Sequence, residues 1–191
     1  MSIQIPGVNS KYSTADIILE QKLLCEANID TIRKLAHVRT EREINDEVNR
    51  RIRLANDFLG MAGSRKMGCL YHEKEMNNVD AMCEHVVPMS VLVDLYHTGN
   101  ESFEKLVLYP IARISKVSDN ELNRIHPRNT GCNLENPFRR YEKPRIQIVT
   151  HTGKDVDLHN WSMRDHWNLV LETTELEPIL EVLEIRHLII V

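Results

Sequence analysis

Thr40-Glu41-Arg42-Glu43 is the feature that most limits how this chain folds. A hydroxyl residue followed three positions later by Glu is a capping box, in which side chains and backbone satisfy each other's open hydrogen bonds at a helix start. Behind it Ile44, Val48, Ile52, Ala55 and Phe58 or Leu59 recur at helical spacing, and Gly60 is a natural stop. Upstream, Ser13-Thr14-Ala15-Asp16 has the same form with Asp in place of Glu. Ile17, Leu24, Ala27 or Asn28, Ile32 and Leu35 then carry one helix to about His37. Two such helices read as an antiparallel hairpin, serving as scaffold or as a contact for a second copy or a protein partner.

The rest alternates between strand and helix signals. Residues 60–68 read as a loop, and 69–78 fit neither pattern; Tyr71-His72-Glu73 lies there and matches no motif. A strand is expected over 79–87, rich in β-branched residues at its end. Pro88 opens a helix that Gly99 closes, with Val91, Leu92, Leu95 and Tyr96 as its apolar face. A second short helix follows over 101–108, ending before Pro110. Ile111 to Val117 alternates as a strand does. Ser118 then has the form of an N-cap, with Glu121 as its capping-box partner and Leu122 and Ile125 turned inward. Residues 127–140 are turn-rich, 145–149 and 155–158 flank Gly153 as a β-hairpin, and 162–173 is helical. The fold class is α+β.

Composition narrows the functions. At 42% hydrophobic and 27% charged this is an ordinary globular chain. No apolar run approaches the ~18 residues that a bilayer demands, and MSIQIPGVNSK lacks the pattern of a signal peptide. Cys25, Cys69, Cys83 and Cys132 are scattered without a Cys-x-x-Cys pair, so reduced thiols and a cytoplasmic location are expected. A zinc site from Cys69, Cys83, His85 and Cys132 has suitable ligands at unsuitable spacing. The net charge of −4 is awkward for a nucleic-acid enzyme, although the acid is concentrated in residues 151–191. Residues 124–145 run the other way: Arg124, Arg128, Arg139, Arg140, Lys143 and Arg145 face only Glu135 and Glu142. That stretch is either a solvated loop or a phosphate-facing patch.

Cys83-Glu84-His85-Val86-Val87-Pro88 carries the chemistry. An acidic residue and a histidine at a strand end, then a proline, resemble the first half of an HNH (ββα-metal) nuclease site. The order strand to Glu84-His85, strand to Val117 and helix from Ser118-Asp119-Asn120 resembles the rest of that unit, as in the HNH domain of RNA-guided nucleases. The resemblance spans about residues 79–126, and only its first part is sharp. It implies Glu84 as metal ligand, His85 as general base and Asn120 as a second ligand, with Glu121, Asn123 and His126 open as further ligands. It also implies Mg²⁺ or Mn²⁺ as cofactor and DNA as substrate, with Arg124, Arg139 and Arg140 as candidate phosphate contacts. Arg140-Tyr141 fits the same outline.

Those roles have a physical basis. A hard cation takes carboxylate and carbonyl oxygens, and a neutral imidazole can take a proton from water at neutral pH. Adjacent strand residues point to opposite faces, so Glu84 and His85 share a site only if the strand ends or bulges there. The organisation expected is a helical extension over 1–60 and an HNH-like nuclease domain with C-terminal elaboration over 61–191. The competing reading is a binding module, an inhibitor or accessory subunit of a defence complex, favoured by the acidic tail and the amphipathic hairpin.

Overall fold

The computed structural model describes residues 14–35, 40–58, 69–76, 81–127 and 130–189. The Ser13 capping-box residue, the Gly60 stop, the loop 60–68, the strand start at 79–80 and Arg128 lie outside the described residues.

Helices α1 (Thr14–Leu35) and α2 (Thr40–Phe58) pack together as the sequence suggests. Asn28 bonds to Glu47 and Arg51 to Gln21, a pairing that runs in opposite directions along the two helices and fixes them as antiparallel. The α2 stripe is Ile44, Val48, Ile52 and Ala55, all buried. On α1 the buried line is Ile18, Gln21, Cys25 and Ile29, whereas Leu24 and Leu35 are exposed, so the expected α1 stripe was displaced around the helix. Gln21 explains the shift: its polar side chain is buried because Arg51 Nη1 donates to it at 2.9 Å. Hydrogen bonding, not hydropathy, decides that position.

Four short strands follow: β1 (Tyr71–Glu73), β2 (Ala81–His85), β3 (Ile111–Ser115) and β4 (Ile148–Thr150). They form one mixed sheet in the order β2-β3-β1-β4. β2 is antiparallel to β3, β1 is parallel to β3, and β4 is antiparallel to β1. β1 arises in the stretch that fits neither pattern by sequence. Only three residues long, it shows no period, yet Tyr71 is fully buried and stacks near Phe138 and Trp161. The expected hairpin around Gly153 is present as a short one on the other edge of β4: Val149 pairs with Asp155, Val156 N donates to the Ile148 carbonyl at 2.9 Å and Thr150 N to the Lys154 carbonyl at 2.8 Å.

Helices α3 (Met89–His97, after Pro88) and α4 (Phe103–Val107, capped by Ser102) connect β2 to β3 and pack on α2. Helix α5 (Lys116–Ile125) leaves β3 at once. Its N-cap is Ser115, not Ser118: the Ser115 hydroxyl accepts from the Ser118 N–H. Glu73 explains the earlier start, since its carboxylate accepts from Ser115 N at 2.7 Å and Ser118 Oγ at 2.6 Å. A distant strand supplies what a local capping box would have supplied. The chain ends in α6 (Met163–Glu172), α7 (Glu177–Val182) and α8 (Arg186–Ile189). A full capping box between Ser162 and Asp165 starts α6. No described helix is long and apolar enough to cross a membrane.

Candidate active site

The antiparallel pair β2–β3 and helix α5, which packs on both strands, give the strand–strand–helix order. The β2–β3 ladder is regular to its end, with Glu84 opposite Ala112 and His85 opposite Ile111, and Val86 N still bonds to Pro110 O at 3.0 Å. No bulge intervenes, so strand alternation sends Glu84 and His85 to opposite faces. The condition for a shared site is not met.

His85 faces the helical hairpin. Its Nε2 lies 3.0 Å from Asn56 Oδ1, while Asn56 Nδ2 donates to the Val107 carbonyl at 2.7 Å. That second bond fixes the amide, so His85 Nε2 carries a proton and donates it to Asn56. Burial, with the charge of Arg53 behind it, pushes the ring down to about 3. His85 is a buried link between β2, α2 and α4.

Glu84 faces the other way, toward α5 and the 3-10 turn Pro137–Tyr141. Arg140 Nη1 lies 3.4 Å from its Oε1 and 3.4 Å from the Val86 carbonyl. The Arg140 side chain is wholly buried, so Arg140 is no surface phosphate contact. Burial pushes the Glu84 carboxyl up to about 7, outweighing the pull of Arg140, and the negative charge of Asp119 adds to the rise. Asp119 is also raised by burial, against a hydrogen bond from Asn123 and the charge of Arg140. Asn123 follows Asp119 by one turn of α5, and His126 is the C-cap where that helix ends. Burial and the charges of Arg140 and Lys143 lower the His126 ring, which lies against the Arg140 backbone.

The site is therefore Glu84, Asp119, Arg140 and Tyr141, with the exposed Asn123 and the half-buried His126 at its rim. Of the expected ligands, Asn120 is exposed and turned outward, and Glu121 is held by Arg124 through bonds of 2.9 and 2.6 Å. Arg124 and Arg139 are exposed. Asp119 was passed over for its neighbour because the predicted helix start was displaced from the true one; moving the cap to Ser115 puts Asp119 on the inner face.

Four buried polar atoms in this cluster have no hydrogen-bond partner: Arg140 Nε and Nη2, Tyr141 Oη and His126 Nε2. Each such group costs about 1–3 kcal/mol when left unsatisfied, and their concentration beside two carboxyls marks a polar site set into the core. Among the described residues no three His, Cys, Asp or Glu side chains converge as a metal-ligand set. That excludes a zinc-type cage of described residues, the Cys69, Cys83, His85 and Cys132 arrangement included. Mg²⁺ needs only one or two carboxylates, its other positions going to water and phosphate, and Glu84 with Asp119 meets that requirement. A separate cavity of about 290 Å³, lined by His151, Lys154, Trp161, Asp165 and Glu172 among others, contains none of these residues.

Compared with protein families, curated proteins and solved structures, the chain finds no match in any of the three.

Proposed function

We propose that this chain is a divalent-metal-dependent nuclease of the ββα type, acting on DNA through the Glu84–Asp119 face of α5. The observation that carries it is the meeting of Glu84 from β2 with Asp119 from the first turns of α5, beside a buried arginine. Both carboxyls are raised by burial, and at Glu84 the charge of Asp119 adds to the rise. A dication favours the ionised pair, so this pocket suits Mg²⁺ or Mn²⁺ better than bare carboxylates. When bound, the ion would stabilise charge developing on the phosphate and the leaving oxygen.

In this reading His85 is not the base, since its ring is held in the interior by Asn56. The base is His126, the C-cap of α5, whose ring is lowered by burial and by the charges of Arg140 and Lys143. Arg139, Lys143 and Arg145 are exposed around the 3-10 turn and supply the phosphate-facing charge. Arg124 contributes less, because Glu121 neutralises it.

The test is cleavage of plasmid DNA with Mg²⁺ or Mn²⁺, with EDTA, Glu84→Gln and His126→Ala as controls. Cutting that disappears in all three supports the assignment; cutting that survives Glu84→Gln ends it. The second reading, a non-catalytic binding module, is favoured by one observation: α1 carries Leu23 and Leu35 at 65% and 66% exposure. It expects a folded protein that does not cut DNA whatever the metal and that pairs through α1 with a second copy or a protein partner.

A further inference from the structure

Two thiols meet beside the central strand. Cys69 stands two residues before β1 and Cys83 is the middle residue of β2, and β3 lies between those strands in the sheet. Their Sγ atoms are nevertheless in contact, 3.5 Å apart. A disulfide holds its sulfurs at about 2.05 Å, so the pair is about 1.5 Å short of a bond. Cys69 is buried, whereas Cys83 is half-buried and keeps part of its surface open to a small molecule.

The surroundings give the two sulfurs different parts. Arg113 is the β3 residue paired with Cys83 in the ladder, and its charge reaches Cys69 as well. Its Nε is buried without a hydrogen-bond partner. A guanidinium beside a partly exposed thiol favours the thiolate, which is the reactive form. The hydrogen bond with Cys83, and then burial, push the Cys69 thiol well above its ordinary range, so Cys69 holds the shared proton and Cys83 accepts it. Cys132 is half-buried like Cys83 but has no second thiol against it among the described residues, and Cys25 is buried.

We propose that Cys69 and Cys83 are a peroxide-reactive dithiol that closes to a disulfide. The Cys83 sulfur attacks hydrogen peroxide: an S–O bond forms, the O–O bond breaks, and the departing hydroxide takes a proton and leaves as water. The Cys69 sulfur then attacks Cys83 Sγ: the S–S bond forms, the S–O bond breaks, and the hydroxide leaves as water with the Cys69 proton. Two thiols are oxidised and one peroxide is reduced to two waters. The bond would tie the approach to β1 to β2 across β3, and by closing a loop in the unfolded chain it should raise the melting temperature. None of this rests on the nuclease reading.

The experiment treats the folded full chain with equimolar hydrogen peroxide, blocks remaining thiols with N-ethylmaleimide and maps unreduced peptides by mass spectrometry. A cross-linked peptide holding Cys69 and Cys83 should dominate several-fold over any other disulfide. Cys25 and Cys132 should carry the maleimide, and dithiothreitol should restore all four thiols. Cys69→Ser should leave a Cys83 sulfenic acid that dimedone traps, and Cys83→Ser should leave Cys69 unoxidised. Maleimide on both Cys69 and Cys83 after peroxide, or random pairing among the four cysteines, overturns the proposal. This map needs only the parent protein, so it stands even if a serine variant fails to fold. Oxidation of Cys69 in folded Cys83→Ser as fast as in the parent overturns the order of attack.

Discussion

The Tyr71 hydroxyl donates to Nδ1 of His166 across 3.0 Å. The direction follows from the other side of the ring, where Nε2 lies 2.9 Å from the Leu108 carbonyl and must carry the proton. The same hydroxyl accepts from Trp161 Nε1 at 3.2 Å. One oxygen on a three-residue strand thus satisfies two buried rings. Tyr71→Phe leaves Trp161 Nε1 and His166 Nδ1 unpartnered and should cost about 2–4 kcal/mol. The midpoint of urea denaturation measures it, and an unchanged midpoint would show that the network contributes nothing.

Stability should fall on the acid side. His166 is pushed down to about 4 by burial and His85 to about 3, both from 6.5. A ring with a depressed folded pKa gives its stability in full above 6.5 and loses it as pH falls toward the folded value. Glu84 works in the opposite sense: raised from 4.5 to about 7, it favours the folded state at low pH and loses that contribution as pH rises through 7. Between 6.5 and 4.5 these two rings outweigh the one carboxyl, so together the three groups make stability decline as pH falls. Glu84→Gln removes the opposing effect and should steepen the decline. Denaturation across that range in both proteins decides it, and parallel curves would refute the assignment to Glu84.

The hairpin depends on Glu47. Burial raises its carboxyl, but bonds from Asn28, Arg51 and Arg50 outweigh that and hold it below the ordinary value. Glu47→Ala strands the buried Arg51 and should cost about 3 kcal/mol or more. Circular dichroism on heating would record the loss, and a variant melting with the parent would contradict it.

Gly131 is held at φ +81, and a Cβ there would stand 2.5 Å from His126 Nδ1. Gly131→Ala must therefore displace the His126 ring as well as strain the backbone. The expected result is a shifted His126 titration by NMR, together with a lower cutting rate if His126 is the base. An unmoved His126 signal would show that the contact is not close.

The amphipathic helices were legible because their periods run over many turns, and the helix over 162–173 was legible in the same way, although the Ser162–Asp165 box that starts it was not singled out. β1 was not, since three residues carry no period and its identity comes from partners on β3 and β4. The start of α5 was misread for a related reason: Glu73, on that same strand, satisfies Ser115 and Ser118 from a distance. Glu84 stood out by its chemistry beside His85. Asp119 and Arg140 needed the fold, because only the packing of α5 and the 3-10 turn against β2 brings them to it. The pairing of Glu84 with His85 in one site depended on a bulge that the ladder does not contain.

The position of β3 between β2 and β1 has a kinetic consequence. Helices of this length form within about a microsecond, and the β2–α3–α4–β3 segment can assemble on its own contacts. The parallel pairing of Tyr71 with Ala112 cannot be made until that whole segment has closed between them, and such non-local closures slow folding. β4 has no place to dock until β1 is seated. The sheet should therefore grow in one direction, from β2 across to β4, with the entry of β1 as the slow step, and the last strand to arrive leads directly into the Trp161 and His166 region that closes over Tyr71.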